Sequence, residues 1–175
     1  MNEGIVSKKF IGNTNDLPIP ADFNGDNKYE QTIWRPSIGA WFFPDGIEEN
    51  TEIKNLHFQG NTIDSPFSVD YDGDHKSDLG VWRPEGGFWY IDESTTHLIP
   101  GNGVTIQNGQ EWDVIVPNDY DGDGRCDLVL WRKSNQTWYL KYAKDGSQNE
   151  IKFGGADDIP ASGDVDGDGI PELIT

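Results

Sequence analysis

Cysteine, methionine and basic side chains are scarce. Among 175 residues there is one cysteine, Cys126, one methionine, and 13 Lys+Arg against 31 Asp+Glu. A single cysteine excludes an intramolecular disulfide framework and a cysteine-based zinc site. The formal net charge of -18 repels nucleic-acid phosphates and anionic membrane surfaces, so neither is an expected partner. No stretch approaches the roughly 20 apolar residues that a spanning helix needs, which argues against membrane insertion. The opening Met1-Asn2-Glu3-Gly4 lacks the basic and apolar regions of a secretory leader. Helical periodicity is absent as well, and 21 Gly and 10 Pro interrupt the chain too often for helices.

Aromatic residues are plentiful. Seven Trp, six Tyr and eight Phe argue for a packed core despite the charge. A folded chain this acidic is expected to bind something positive.

The sequence repeats itself. The segments DLPIPADFNGDNKYEQTIWRPSIGAWFF from Asp16, DSPFSVDYDGDHKSDLGVWRPEGGFWYI from Asp64, DVIVPNDYDGDGRCDLVLWRKSNQTWYL from Asp113 and DIPASGDVDGDGIPELIT from Asp158 align without strain. Their anchors Asp22, Asp70, Asp119 and Asp164 lie 48, 49 and 45 residues apart. Trp34, Trp82 and Trp131 keep the same step, as do Trp41, Trp89 and Trp138. Approximate units are 11–58, 59–106, 107–153 and 154–175, with 1–10 completing the last.

Each unit carries four short strand signals. The first precedes an acidic loop (18–21, 66–69, 114–117, 159–162) and the second follows it (31–34, 79–82, 128–131, 173–175). The third begins near the later Trp (41–43, 88–91, 137–140). The fourth is expected at 53–58, 104–107 and 151–153, with an N-terminal counterpart at 5–10. Four antiparallel strands in a unit of this length predict an all-β fold, a β-propeller of four-stranded blades. A β-solenoid is the rival, with shorter and less aromatic coils.

The acidic loops run Asp22 to Glu30, Asp70 to Asp78, Asp119 to Asp127 and Asp164 to Glu172. Numbered from the first acid, oxygen side chains occupy positions 1, 3, 5 and 9: Asp22, Asn24, Asp26, Glu30; Asp70, Asp72, Asp74, Asp78; Asp119, Asp121, Asp123, Asp127; Asp164, Asp166, Asp168, Glu172. Position 7 (Lys28, Lys76, Arg125, Ile170) would add a backbone carbonyl and so is free to vary in side chain. This hard, flexible oxygen set suits Ca²⁺, up to four ions, better than Mg²⁺. An EF-hand does not fit, because position 12 is Ile33, Val81, Leu130 or Thr175 where that loop needs a bidentate Glu. Solvated acidic loops are the bland alternative, but three or four carboxylates within nine residues repel one another. The loops hold three, four, four and four acids, 15 of the 31. The ion is expected to be structural, with the first site weakest because Asn24 replaces a carboxylate.

These loops, with the Trp-Arg-Pro and following Trp of each unit, resemble FG-GAP/VCBS repeats, the calcium-bearing blades of integrin α-subunit-like propellers. Phe153-Gly154 carries the name-giving pair. The resemblance implies an extracellular or cell-surface setting, roles in adhesion, carbohydrate binding or enzyme accessory modules, and no catalytic activity. It also implies seven blades, more than these units supply, so a fragment of a longer propeller is one reading and a closed four-bladed ring another; because an open propeller leaves strand edges that invite pairing, closure by a homo-oligomer is expected.

For the remaining candidates two readings stand. The six patterned Trp either stack on sugars or fill the blade core, and their fixed place favours the core. Arg35, Arg83 and Arg132 are either ligand-binding groups or stacking and salt-bridge partners between blades. Trp112, outside the repeated Trp positions, is the better glycan or protein-surface ligand candidate. It is expected near the turns at 36–40, 84–87 and 133–136, on the face opposite the acidic loops. His57, His75 and His97 have no metal spacing. Gly101-Asn102-Gly103 lacks the strand-to-helix context of a nucleotide site. No nucleophile–base set stands out. A glycosidase acid pair remains a weaker third option beside a binding module and a purely structural module.

Overall fold

The computed structural model describes residues 12–43, 55–56, 60–96 and 103–175, with only the backbone of 55, 56 and 96. The expected N-terminal strand at 5–10, His57, His97 and the first two residues of Gly101-Asn102-Gly103 lie outside the described residues. No α-helix occurs among the described residues, and a single 3-10 turn covers Ser94–Thr96.

Three four-stranded antiparallel sheets and one two-stranded sheet follow one another along the chain. The first holds β1 (Leu17–Pro18), β2 (Ile33–Arg35), β3 (Ala40–Phe42) and β4 (Asn55–Leu56). The second holds β5 (Ser65–Val69), β6 (Asp78–Arg83), β7 (Phe88–Asp92) and β8 (Val104–Gln107). The third holds β9 (Val114–Ile115), β10 (Leu128–Arg132), β11 (Thr137–Lys141) and β12 (Gln148–Lys152). The last pairs β13 (Ala161–Gly163) with β14 (Glu172–Ile174). Strand order equals chain order in every sheet. The all-β expectation therefore holds at the level of the sheets, and the described residues do not trace a closed ring.

The two Trp of each unit face each other across the central strand pair: Trp34 with Trp41, Trp82 with Trp89, Trp131 with Trp138. Their ring centroids lie 5.3, 5.0 and 6.4 Å apart, tilted or edge-on, the geometry that aromatic quadrupoles favour. All six are buried, so they form the cores, as their fixed place in the repeat suggests.

Successive sheets share those cores. Leu79 and Val81 of β6 pack into the cluster of Phe23, Trp34, Trp41 and Phe43. Leu128 and Leu130 of β10 pack onto Phe67, Trp82, Trp89 and Ile91. Leu173 of β14 packs onto Val116, Trp131, Trp138 and Leu140. Positions 10 and 12 of one unit thus complete the core of the unit before it.

One strand is misplaced by the sequence reading. The expected strand at 151–153 is β12 at Gln148–Lys152, all of it exposed. A tight connection, with the Ser147 carbonyl accepting from the Tyr142 N–H at 2.9 Å, starts the strand early. Phe153 lies beyond it and stacks on Trp138 at 5.6 Å and 15°. Ladder bonding in a polar edge strand leaves no apolar alternation to read.

Candidate metal loops and the Trp112 face

Each acidic loop joins the first two strands of its sheet and has the same fold. The position-1 carboxylate accepts from the backbone N–H groups of positions 4 and 6, at 2.6 and 2.7 Å in the first loop and 2.7 and 2.8 Å in the second. The third and fourth loops repeat both bonds. Position 3 accepts from position 5, and position 5 from position 7, in all four loops. The position-9 carboxylate returns to the N–H of position 2: Glu30 to Phe23, Asp78 to Tyr71, Asp127 to Tyr120, Glu172 to Val165. Such a wrap needs left-handed backbone at positions 4 and 6. Gly25, Gly73, Gly122 and Gly167 supply it at position 4, with φ between 72° and 87°. At position 6 the residues are Asn27, His75, Gly124 and Gly169, also at positive φ.

The result converges carboxylate oxygens. In each loop three acids offer oxygens within 4.8 Å of one another: Asp22, Asp26 and Glu30; Asp70, Asp72 and Asp78; Asp119, Asp121 and Asp127; Asp164, Asp166 and Glu172. Every such group among the described residues lies in these loops. Burial pushes the Asp78 carboxyl up to about 7, and Asp127 up to about 6, with neighbouring carboxylates adding to the shift. Converging negative charge of this kind would be relieved by a cation. The oxygen-only donor set fits Ca²⁺.

The loops are not identical. Asn24 donates its amide to Glu30 Oε1 at 3.0 Å, and its position-3 oxygen is an uncharged carbonyl where the other loops have a carboxylate. In the second loop the Ser94 hydroxyl donates to Asp74 at 2.8 Å and the Thr95 hydroxyl to Asp72 at 2.6 Å. At the same place in the third, Lys144 Nζ lies 3.8 Å from Asp123. Sequence reasoning missed Ser94, Thr95 and Lys144, because they come from the connection after the third strand, about twenty residues downstream.

Position 7 also departs from expectation. Its side chain lies on the position-4 glycine of the preceding loop. A Cβ on Gly25 would meet Lys76 Cγ at 3.3 Å, on Gly73 Arg125 Cγ at 3.0 Å, and on Gly122 Ile170 Cδ1 at 3.0 Å. The residue is constrained by the neighbouring unit, and a long alkyl stem is what Lys76, Arg125 and Ile170 share.

Residues 119–175 match the model of the FG-GAP-like repeat. Over that segment, about a third of the chain, the protein is similar to the FG-GAP-like repeat. No curated protein and no solved structure matches the chain. The matched FG-GAP-like segment begins at the first carboxylate of the third loop and includes the whole fourth loop. The first two loops repeat the hydrogen bonds that positions 1, 3, 5 and 9 make in that segment.

On the opposite face each repeat Arg is engaged within its own unit, not between blades as expected, because the Asp that opens the unit lies beside the end of its second strand. Arg35, Arg83 and Arg132 clamp Asp16, Asp64 and Asp113 through two hydrogen bonds each, at 2.7–2.9 Å. Each guanidinium also lies over a ring, Phe42, Tyr90 or Tyr139, at 4.3, 4.7 and 4.3 Å. Those Asp in turn cap the turn entering the unit, accepting from Asn13, Asn61 and Gln110 N–H groups. Trp112 occupies the tip of that turn, where the other units have Asn15, Ile63 and Asp157. It is 81% exposed. With Gln110, Asp113, Arg132, Lys133 and Ser134 it lines an open cavity of about 390 Å³. The structure therefore brings Trp112 together with Arg132 and the 133–136 turn, while Arg35 and Arg83 lie in other units. His75 is exposed, 4.0 Å from Asp70. Cys126 is buried and its thiol is pushed up by burial.

Proposed function

We propose that the chain is a calcium-stabilised, non-catalytic propeller module that binds a glycan on the Trp112 face, in an extracellular or cell-surface setting. Support for the metal comes from one observation above all: the same converging carboxylate loop recurs four times. The ions are structural and lie on the face away from Trp112. Each brings +2 to a chain of net charge -18, relieving repulsion that the folded loops otherwise carry. For the ligand, an exposed indole offers a flat apolar surface to the C–H face of a sugar ring. Gln110, Ser134 and Lys133 are placed to meet its hydroxyls, the mix of one apolar wall and a few polar groups usual in ligand sites. The strong negative charge favours a neutral glycan. A purely structural module without a small ligand is the alternative, and Trp112 separates the two.

Excess chelator is expected to lower the melting temperature, and added Ca²⁺ to restore it, because a ligand of the folded state stabilises that state. An unchanged melt would remove the structural role. A glycan array in calcium, run with the native chain and with Trp112→Ala, addresses the ligand. Binding by the native chain that the variant loses supports the glycan reading. No binding by either leaves the structural module.

A further inference from the structure

The joint between successive units is built on the loop side from two repeated contacts. The position-1 carbonyl of one unit accepts from the position-8 N–H of the next: Ser77 to Asp22 and Cys126 to Asp70, both at 2.7 Å. The position-7 stem of the next unit covers the position-4 glycine. At the second joint Val69, the residue before position 1, and Cys126 at position 8 of the next unit line one cleft with Asp70 and Asn118.

Both halves of this joint recur, uncovered, at opposite ends of the described sheets. Unit four presents Asp164, Gly167 and Val165. Val165 is 70% exposed, although its counterparts Phe23, Tyr71 and Tyr120 pack into cores shared with the following unit. A Cβ on Gly167 would meet no heavy atom within 4 Å. Unit one presents Lys28 at position 7 and Tyr29 at position 8, the latter 73% exposed.

We infer that these two surfaces mate between copies of this chain, Lys28 and Tyr29 of one copy seating on the Asp164 loop of a second. Three features select a second copy as the occupant. The contact continues the joint already made twice within the chain. Lys28, whose ammonium bonds its own Asp26 at 3.0 Å, would bring a cationic side chain onto a loop with four acids, as Arg125 does at the second joint and Lys76 does on the three acids of the first loop. The sizes also match. The corresponding positions at the internal joints are Ala21 and Ser77, Val69 and Cys126, Asn118 and Pro171; in the same register the smallest residue, Gly163, would fall opposite the largest, Tyr29. The space beside Gly163 is open, with only Ile174 Cδ1 at 3.9 Å from a built Cβ. Exposed Gln31 replaces the Leu79, Leu128 and Leu173 of the other units, so this joint is less apolar and weaker than those within the chain. It is heterologous, so it propagates until a ring closes. It is also independent of whatever the Trp112 face binds.

Light scattering across a concentration series in calcium tests the inference. The native chain is expected to rise from 19.6 kDa to at least twice that mass. Gly163→Val fills the space for Tyr29 with the residue that unit two already tolerates, and should lose the association with an unchanged melt. Adding Tyr29→Ser to that variant recreates a small position 8 and should restore it. Val165→Glu, on the same exposed surface, should abolish association at an unchanged melt. A native chain that stays at 19.6 kDa at every concentration overturns the inference. So does association that survives both Gly163→Val and Val165→Glu, because the contact would then lie elsewhere.

Discussion

Arg83 shows at the scale of one residue how the repeat enforces itself. Its guanidinium holds the buried Asp64 carboxylate at 2.9 and 2.7 Å and covers the Tyr90 ring. Arg rather than Lys is required, since only the planar fork bonds twice and stacks. Arg83→Ala strips a buried carboxylate of its partner, so a loss of about 3 kcal/mol in denaturant unfolding is expected. Arg83→Lys should recover only part of it, and equal stability of Lys and Arg would rule out the fork as the reason. Trp112→Ala, at an exposed turn tip, should change stability by no more than about 0.5 kcal/mol. The contrast separates a residue that builds the unit from one held out to solvent.

Within the elements, the loops and central strands were legible because their determinants are local. Carboxylates and glycines at fixed spacing dictate the loop, and a Trp on each central strand dictates the core. Outer strands were less legible. β12 is polar and exposed, and its start depends on a turn rather than on side-chain alternation. The hydroxyls on the second loop escaped for another reason: Ser94 and Thr95 reach it from a different connection, and nothing in their own sequence points there. The role of position 7 was hidden in the same way, since its partner is the glycine of a neighbouring unit. Loop one offers a test of ligand charge. Asn24→Asp should tighten Ca²⁺ binding to that loop in calorimetry, since affinity follows the count of charged ligands. The same change should lower the melt in chelator, because a fourth carboxylate adds repulsion. A tighter site without the chelator penalty would mean that the acids are already relieved by something other than the ion.

Across the whole molecule, each sheet shares its core with the next along the chain, so stability is close to a sum of units and joints. The joints are unequal. The first two have the position-8 backbone bond at 2.7 Å. At the third, position 8 is Pro171, which has no N–H to give. Side chains compensate only partly: Asn118 donates to the Ser162 hydroxyl at 3.0 Å and Ile170 covers Gly122. The sheet beyond that joint has two strands, and no residue in either is fully buried. Its amides, those of Gly163 and Leu173 for example, should therefore exchange with deuterium well before those of Val81 in β6 or Leu130 in β10, which are buried at the joints. Calcium should slow exchange in β13 and β14 more than in β6, because the central sheet is already held from both sides. Uniform protection across all four sheets would instead mean that the missing bond at Pro171 does not weaken the third joint, and that the chain opens as one unit.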